Sequence, residues 1–189
     1  DVKIKINHRQ ILNSIPNKIG INDSFNEFIA LIDKRDKIGS EKLKNLLRND
    51  LNIKDNHIDY LSELFEYSGK FSDLINKITN EFSDALSIKA TEEINKIYEM
   101  MENSDELVEI EFDLSLARGL NYYTGIIYEV VAPDSNIGSL GGGGRYSDLT
   151  KSFGVDNLPG IGISFGLERI HLLMDEKNLF PDLKVLSND

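Results

Sequence analysis

The chain opens with Val2, Ile4 and Ile6 alternating against Lys3 and Lys5, the period-two signature of a half-buried strand read over "DVKIKINHRQIL". A strand at the start of a chain needs a partner to pair with, and no hairpin mate lies nearby. From about Asn22 to Ser104 the period is instead helical. Phe25, Phe28, Ile29 and Ile32 make one stripe behind Ser24 as a cap, and Leu43, Leu46, Leu47 and Leu51 a second behind Ser40. Ile58, Leu61, Leu64 and Phe65 continue the pattern, then Ile75, Ile78 and Phe82, then Ala90, Ile94, Ile97 and Met101. About five amphipathic helices are expected, broken at "KIGS", "YSGK" and "ENSD". Such stripes are what packing requires and carry no function by themselves.

After Asp105 the period returns to two. "ELVEIEFDLSL" and "GIIYEVVA" both read as strands, and their short link makes an antiparallel hairpin with a wide turn the first expectation. "IGSLGGGGRYSDLTKSF" predicts a short strand, a glycine run and a helix start, and "LPGIGISFGLERIHLLMDEKN" a strand running into a helix. The second half is therefore α+β, built mainly on antiparallel strands.

Composition narrows the chemistry. With 40% hydrophobic and 28% charged residues the 189-residue chain is globular in type. No apolar run approaches the ~18 residues of a membrane helix and the N-terminus lacks a signal-peptide core, so a cytoplasmic location is expected. The absence of cysteine excludes disulfides, thiolate catalysis and Cys-ligated metals, and His8, His57 and His171 show no metal-ligand spacing, so no metal site is expected. A net charge of -11 argues against nonspecific nucleic-acid binding and leaves room for a local patch.

Three arginines lie beside glycine-dense backbone: Arg118 before Gly119, Arg145 after "GGGG" and Arg169 in "GLERI". Glycine lets backbone approach a ligand, and the guanidinium fork suits phosphate or carboxylate, so the repeated pairing points to an anionic ligand. A single arginine would ordinarily form a surface ion pair. The glycine run lacks the Lys-Ser/Thr of a P-loop, and "GIGISFG" lacks dinucleotide-fingerprint spacing and a βαβ context. Tyr122, Tyr123 and Tyr146 bring hydroxyls that both donate and accept; of the adjacent pair, one should face a pocket while the other packs.

"LARGLNYYTGIIYEV" and "GGGGRYSDL" resemble the two histidine signatures of the histidyl-tRNA synthetases, and "PGIGISFGLERI" resembles motif 3 of class II aminoacyl-tRNA synthetases. The order and spacing of all three fit over roughly residues 105 to 176. "VKIKINHRQIL" is similar to the strand after motif 2, and the helices between to the family's helical insertion. The resemblance implies the C-terminal half of a class II antiparallel catalytic sheet: residues 1–20 a strand segment, 21–105 the helical insertion, and 106–189 the catalytic core.

It also implies roles. Arg118 would meet the α-phosphate of ATP and the histidine carboxylate; Tyr122, Tyr123 and Tyr146 would frame the histidine above Gly142, Gly143 and Gly144. Arg169 would take the γ-phosphate, with Gly166 and Glu168 shaping its motif. The substrates implied are L-histidine, ATP with Mg and tRNA(His), and the full-length family member is expected to be a homodimer. Asn121 stands where the signature often has Asp, and Ser147 where Asp commonly follows the tyrosine. Motifs 1 and 2 and an anticodon-binding domain have no counterpart here, so a fragment, inactive alone, is expected. The alternative is a synthetase-like regulatory subunit of histidine biosynthesis that binds histidine without charging tRNA.

Overall fold

A computed structural model describes residues 2–103, 108–118, 123–146, 151, 153–156 and 158–180. In chain order the elements are β1 (Lys3–His8), α1 (Arg9–Ile19), a 3-10 turn (Asn22–Ser24), α2 (Phe25–Ile32), α3 (Arg35–Ile38), α4 (Ser40–Asn49), α5 (Asp55–Phe65), α6 (Phe71–Glu81) and α7 (Ala85–Glu102). Then come β2 (Glu109–Phe112), β3 (Ile126–Val131), β4 (Ser139–Tyr146), β5 (Gly160–Phe165) and α8 (Leu167–Glu176).

The opening strand ends earlier than its alternation suggested. His8 is extended, and its Nδ1 accepts from the backbone N–H of Gln10 at 3.2 Å, which caps α1. Ile11, Leu12, Ile15 and Ile19 then form a helical stripe, all at most 6% exposed. Pro16 sits inside this helix, and Gly20 closes it at φ +75, a left-handed conformation natural to glycine.

The five expected stripes fall on α2, α4, α5, α6 and α7, and the three expected breaks fall between or after them. Two caps differ. Ser24 holds the N-cap position of α2 without a side-chain capping bond, and Ser40 is already the first residue of α4, preceded by Gly39. The side-chain cap within the helical region after α1 belongs to Asp84 at the start of α7, whose Oδ1 accepts from the backbone of Leu86 and Ser87 while Oδ2 accepts from the Ser87 and Ser14 hydroxyls. The Ser87 hydroxyl, ahead of the other donors, holds the Asp84 carboxyl below its ordinary value.

The five-stranded sheet has the order β2-β1-β3-β4-β5. The expected hairpin between the "EIEF" and "IIYEVV" strands does not form, because β1 lies between them, parallel to β2 and antiparallel to β3. Alternation fixes which face a residue takes, not which strand is its neighbour. A parallel pair needs a long crossover, and here the entire helical region from α1 to α7 is the crossover from β1 to β2. The strand at the chain start thus finds its partners from beyond Ser104.

The glycine run, expected to follow a short strand, is instead the body of β4. Neighbouring tyrosines fill the space that its missing side chains leave. Tyr128 lies over Gly143, Tyr123 over Gly144, and Tyr146 over Gly160 and Gly162.

One large core, including Ile6, Ile11, Phe28, Ile78, Ile94, Phe112 and Ile127, joins the helices to the sheet. Among the described residues β5 is an edge strand, and its Ile161, Ile163 and Phe165 share one face and are 68%, 50% and 62% exposed. An exposed apolar edge templates association. The 189-residue chain is expected to self-associate through β5, and Ile163→Lys to weaken that association about tenfold or more. Sedimentation equilibrium checks this; equal association by both chains would sink it. Among the described residues no helix is long and apolar enough to cross a membrane.

Candidate functional site

Cross-strand register decides which side chains meet. Lys5 pairs with Glu129, Glu129 with Gly142 and Gly142 with Ser164, so these four share one face of the sheet. Ile127, Gly144 and Gly162 share that face, as do Tyr146 and Gly160. Arg145, one residue before Tyr146, therefore belongs to the opposite face, where its guanidinium lies 4.0 Å from Glu93 of α7. Of the three arginines singled out in the sequence, this one leaves the group. Its backbone carbonyl nevertheless accepts from Thr124 and Gly125, fixing the chain just after Tyr123.

Arg118 reaches the site face from the buried stretch Leu114–Ala117. The amide of Asn7, itself fully buried, donates to the carbonyls of Leu114 at 3.2 Å and Leu116 at 2.9 Å and so pins this stretch to β1. Arg118 Nη2 lies 2.6 Å from Glu129 Oε1; the arginine side chain is 44% exposed and the glutamate 7%. Lys5 on the same face is committed to Asp113 at 2.8 Å, and Lys3 to Glu109 and Glu111. Burial pushes the Asp113 carboxyl up, but the charge and hydrogen bond of Lys5, with two bonds from Ser115, outweigh it and hold it below its ordinary value.

Tyr123 and Tyr146 stand on this face with ring centroids 6.3 Å apart and planes 21° from parallel. A Cβ on Gly144 would meet the Tyr123 ring at 2.7 Å, and one on Gly162 would meet the Tyr146 hydroxyl at 2.8 Å, so only glycine admits the two rings so low. Among the described residues Gly142 meets no side chain within 4 Å, which leaves backbone between Tyr123, Tyr146 and the Arg118–Glu129 pair. Gly143 faces the other way, beneath Tyr128, whose hydroxyl donates to the carbonyl of Gly162 at 2.6 Å. Tyr122 lies outside the described residues.

The motif-3-like residues gather at the far end of β4. Gly166 N–H donates to the Leu140 carbonyl and Arg169 Nη1 to the Ser139 carbonyl, both at 2.8 Å, while Glu168 is exposed in the first turn of α8. At about 3.4 Å per strand residue, Arg169's anchor lies about 10 Å from Gly142, and Tyr146 about 14 Å beyond it. Along β4 from Ser139 to Tyr146, the order is Arg169, then Arg118 through Glu129, then Tyr123 and Tyr146. A row this long suits an extended ligand with anionic groups at one end and a hydrogen-bonding ring at the other.

Helices α2 and α3 wall one side. Ile32, Asp33, Asp36 and Lys37 border a cleft of about 60 Å³ together with Asp113, Arg118 and Glu129. Neither these aspartates nor Glu129 stood out in the sequence. Glu129 carried a usable signal, since a carboxylate inside "IIYEVV" must find a partner if that strand is buried. Among the described residues no cluster of His, Asp and Glu gathers as a metal site.

An open, mainly antiparallel sheet with a helical crossover and a glycine-floored face of arginine, glutamate and tyrosines defines an α+β domain of the class II synthetase type. The chain belongs to the histidyl-tRNA synthetase family, whose model matches residues 1–170. It is 42% identical over 184 residues to a histidine–tRNA ligase of Flavobacterium johnsoniae, an alignment covering 96% of this chain and 38% of that protein. The crystal structure of histidyl-tRNA synthetase from Nostoc sp. PCC 7120 superposes with a TM-score of 0.84 at 27% identity, covering 96% of this chain and 43% of that one. A structure described as an ATP phosphoribosyltransferase regulatory subunit/histidyl-tRNA synthetase from Bacillus halodurans C shares the fold, with a TM-score of 0.71 at 18% identity over 95% of this chain and 52% of that one. The chain thus spans about two fifths of the length of the curated relatives it matches.

Proposed function

We propose that this chain is the histidine- and ATP-binding half of a histidine–tRNA ligase, an enzyme that activates L-histidine with Mg-ATP and transfers it to tRNA(His). The observation that carries the reading is the order of groups along β4: Arg169 at one end, Arg118 in the middle, and the stacked Tyr123 and Tyr146 at the other. That order matches the length of a histidine placed end to end with ATP. Arg169 would hold the γ-phosphate end, with Gly166 and Glu168 shaping the turn that presents it. Gly142 and Gly144 would floor the amino-acid end, Gly143 would complete the strand behind them, and Tyr122, Tyr123 and Tyr146 would frame the imidazole.

In the reaction a histidine carboxylate oxygen attacks the α-phosphorus, the bond from that phosphorus to the bridging oxygen breaks, and pyrophosphate leaves with its electron pair. Negative charge builds on the non-bridging α-phosphate oxygens. Arg118 would meet that charge with donors already in place on the site face, which costs no reorganisation at the moment of reaction. A neutral imidazole offers one donor and one acceptor, so phenol hydroxyls can discriminate it from apolar rings. The family's helical region would reach the tRNA, and the full protein would act in the cytoplasm as a homodimer.

The experiment is histidine-dependent ATP–pyrophosphate exchange by the full gene product, beside histidine binding measured by calorimetry. Exchange that needs histidine is the expected result. Histidine binding without exchange would make the protein a regulatory relative instead.

A further inference from the structure

The site face holds a carboxylate that the proposed chemistry does not itself require. Glu129 occupies the middle of β3 between Tyr128 and Val130, is 5% exposed, and faces the site with Lys5 on one side and Gly142 on the other. Lys5 is already engaged by Asp113, and Gly142 has no side chain to offer. Among the described residues, the ion-pair partner of Glu129 is Arg118, at 2.6 Å.

The arginine needs such a partner. Its backbone is fixed as far as Ala117 by the two hydrogen bonds from Asn7, but a long side chain that is 44% exposed keeps several rotatable bonds beyond that point. Among the described residues, the glycine strand beneath it supplies no wall. A carboxylate fixed on the sheet can take one edge of the planar guanidinium and leave the other edge turned outward.

Resting on the proposed role of Arg118 at the α-phosphate, we infer that Glu129 is a positioning residue: it holds one edge of the Arg118 guanidinium against the sheet so that the opposite edge meets the reacting phosphate. Its charge also tempers the arginine, so a bound triphosphate faces an oriented pair and not a free cation. Loss of the carboxylate should therefore loosen aim more than attraction.

The test is a double-mutant cycle on the full gene product with Glu129→Gln and Arg118→Ala, read by pyrophosphate exchange. Glu129→Gln is expected to lower kcat about 10- to 100-fold, the scale of a misplacement of about 1 Å, with KM for ATP within about threefold of the parent. In the Arg118→Ala background the same substitution should change kcat little, and Glu129→Asp, which keeps the charge, should recover part of the loss. Equal losses in both backgrounds, or an unchanged kcat, would overturn the inference.

A second readout separates this claim from the ligase reading beneath it. The Arg118 Nη–H resonances in the substrate-free protein should lose their protection from solvent exchange in Glu129→Gln. If the parent lacks exchange activity while that protection is present and is lost in the variant, the ligase reading falls and the positioning by Glu129 stands. Protection that is the same with and without the carboxylate removes the inference whatever the enzyme does.

Discussion

Histidine-dependent pyrophosphate exchange is expected to fall about 100- to 1,000-fold when Arg118 becomes alanine, the loss typical of removing a preorganised donor from a developing oxyanion. The geometry behind this is specific. Arg118 is the cation of the site face whose guanidinium is paired on one side and 44% exposed on the other, whereas Lys3 and Lys5 beside it are tied to carboxylates. Alanine would also strand Glu129, a buried carboxylate, on the sheet. Because the arginine is well exposed and its pairing is screened by solvent, the stability cost should be modest, about 1 kcal/mol. In a chain of this size that lowers Tm by about 2–4 °C. Activity should therefore collapse while the fold survives, and Arg118→Lys, which keeps the charge without the fork, should fall between. Exchange assays on the full gene product and thermal melts of the 189-residue chain check this; exchange within threefold of the parent in Arg118→Ala would remove the arginine from the chemistry.

The second large effect is steric. A Cβ at Gly143 would run into the carbonyl of Gly162 on β5 and would meet the Tyr128 hydroxyl at 2.6 Å and its ring carbon Cζ at 2.8 Å. A flexible side-chain end can swing away, but a backbone carbonyl in a paired strand cannot. Gly143→Ala must therefore push β4 and β5 apart or expel Tyr128, breaking the bond from its hydroxyl to Gly162. Overpacking of this kind costs roughly 1–3 kcal/mol, and the backbone clash puts it at the upper end. A drop in Tm of about 6–12 °C is expected, with weakened histidine binding, since β4 also carries the floor beneath Tyr123. Gly142→Ala is the milder comparison, because among the described residues its Cβ would meet the Tyr128 carbonyl at 3.2 Å, which needs only a small adjustment, and the Glu129 Cα at 4.0 Å. Its effect should be mainly on ligand binding. Equal melting temperatures for Gly143→Ala and the parent would show that the strands yield.

Much of the architecture is legible in the chain alone. The five helical stripes and the strand-to-helix turn at "GISFGLERI" are local patterns, and period alone reports them. Pairing is not legible. The hairpin expected between β2 and β3 does not form because β1 enters between them from the other end of the crossover, a choice made by which strand edges remain to be satisfied. Pro16 and the apparent continuation of the opening strand hide α1, and the glycine run does not read as the body of a long strand because strand propensity ignores what neighbours can supply.

The candidate site divides in the same way. The sequence by itself determined which residue types are present and their order: an arginine ahead of paired tyrosines, a glycine run, and an arginine in the last strand-to-helix turn. It also determined the family, since those signatures are short, contiguous and read directly. Only the tertiary structure decided which of them share a face. Register put Gly142, Gly144, Tyr146 and Glu129 on one side and Gly143 and Arg145 on the other, and it brought Glu129 to Arg118 and α2–α3 to the rim. The physical reason is that a strand's alternation repeats every two residues and fixes faces only relative to its own neighbours. The pairing that aligns one strand's faces with another's is set by contacts between residues far apart in the chain.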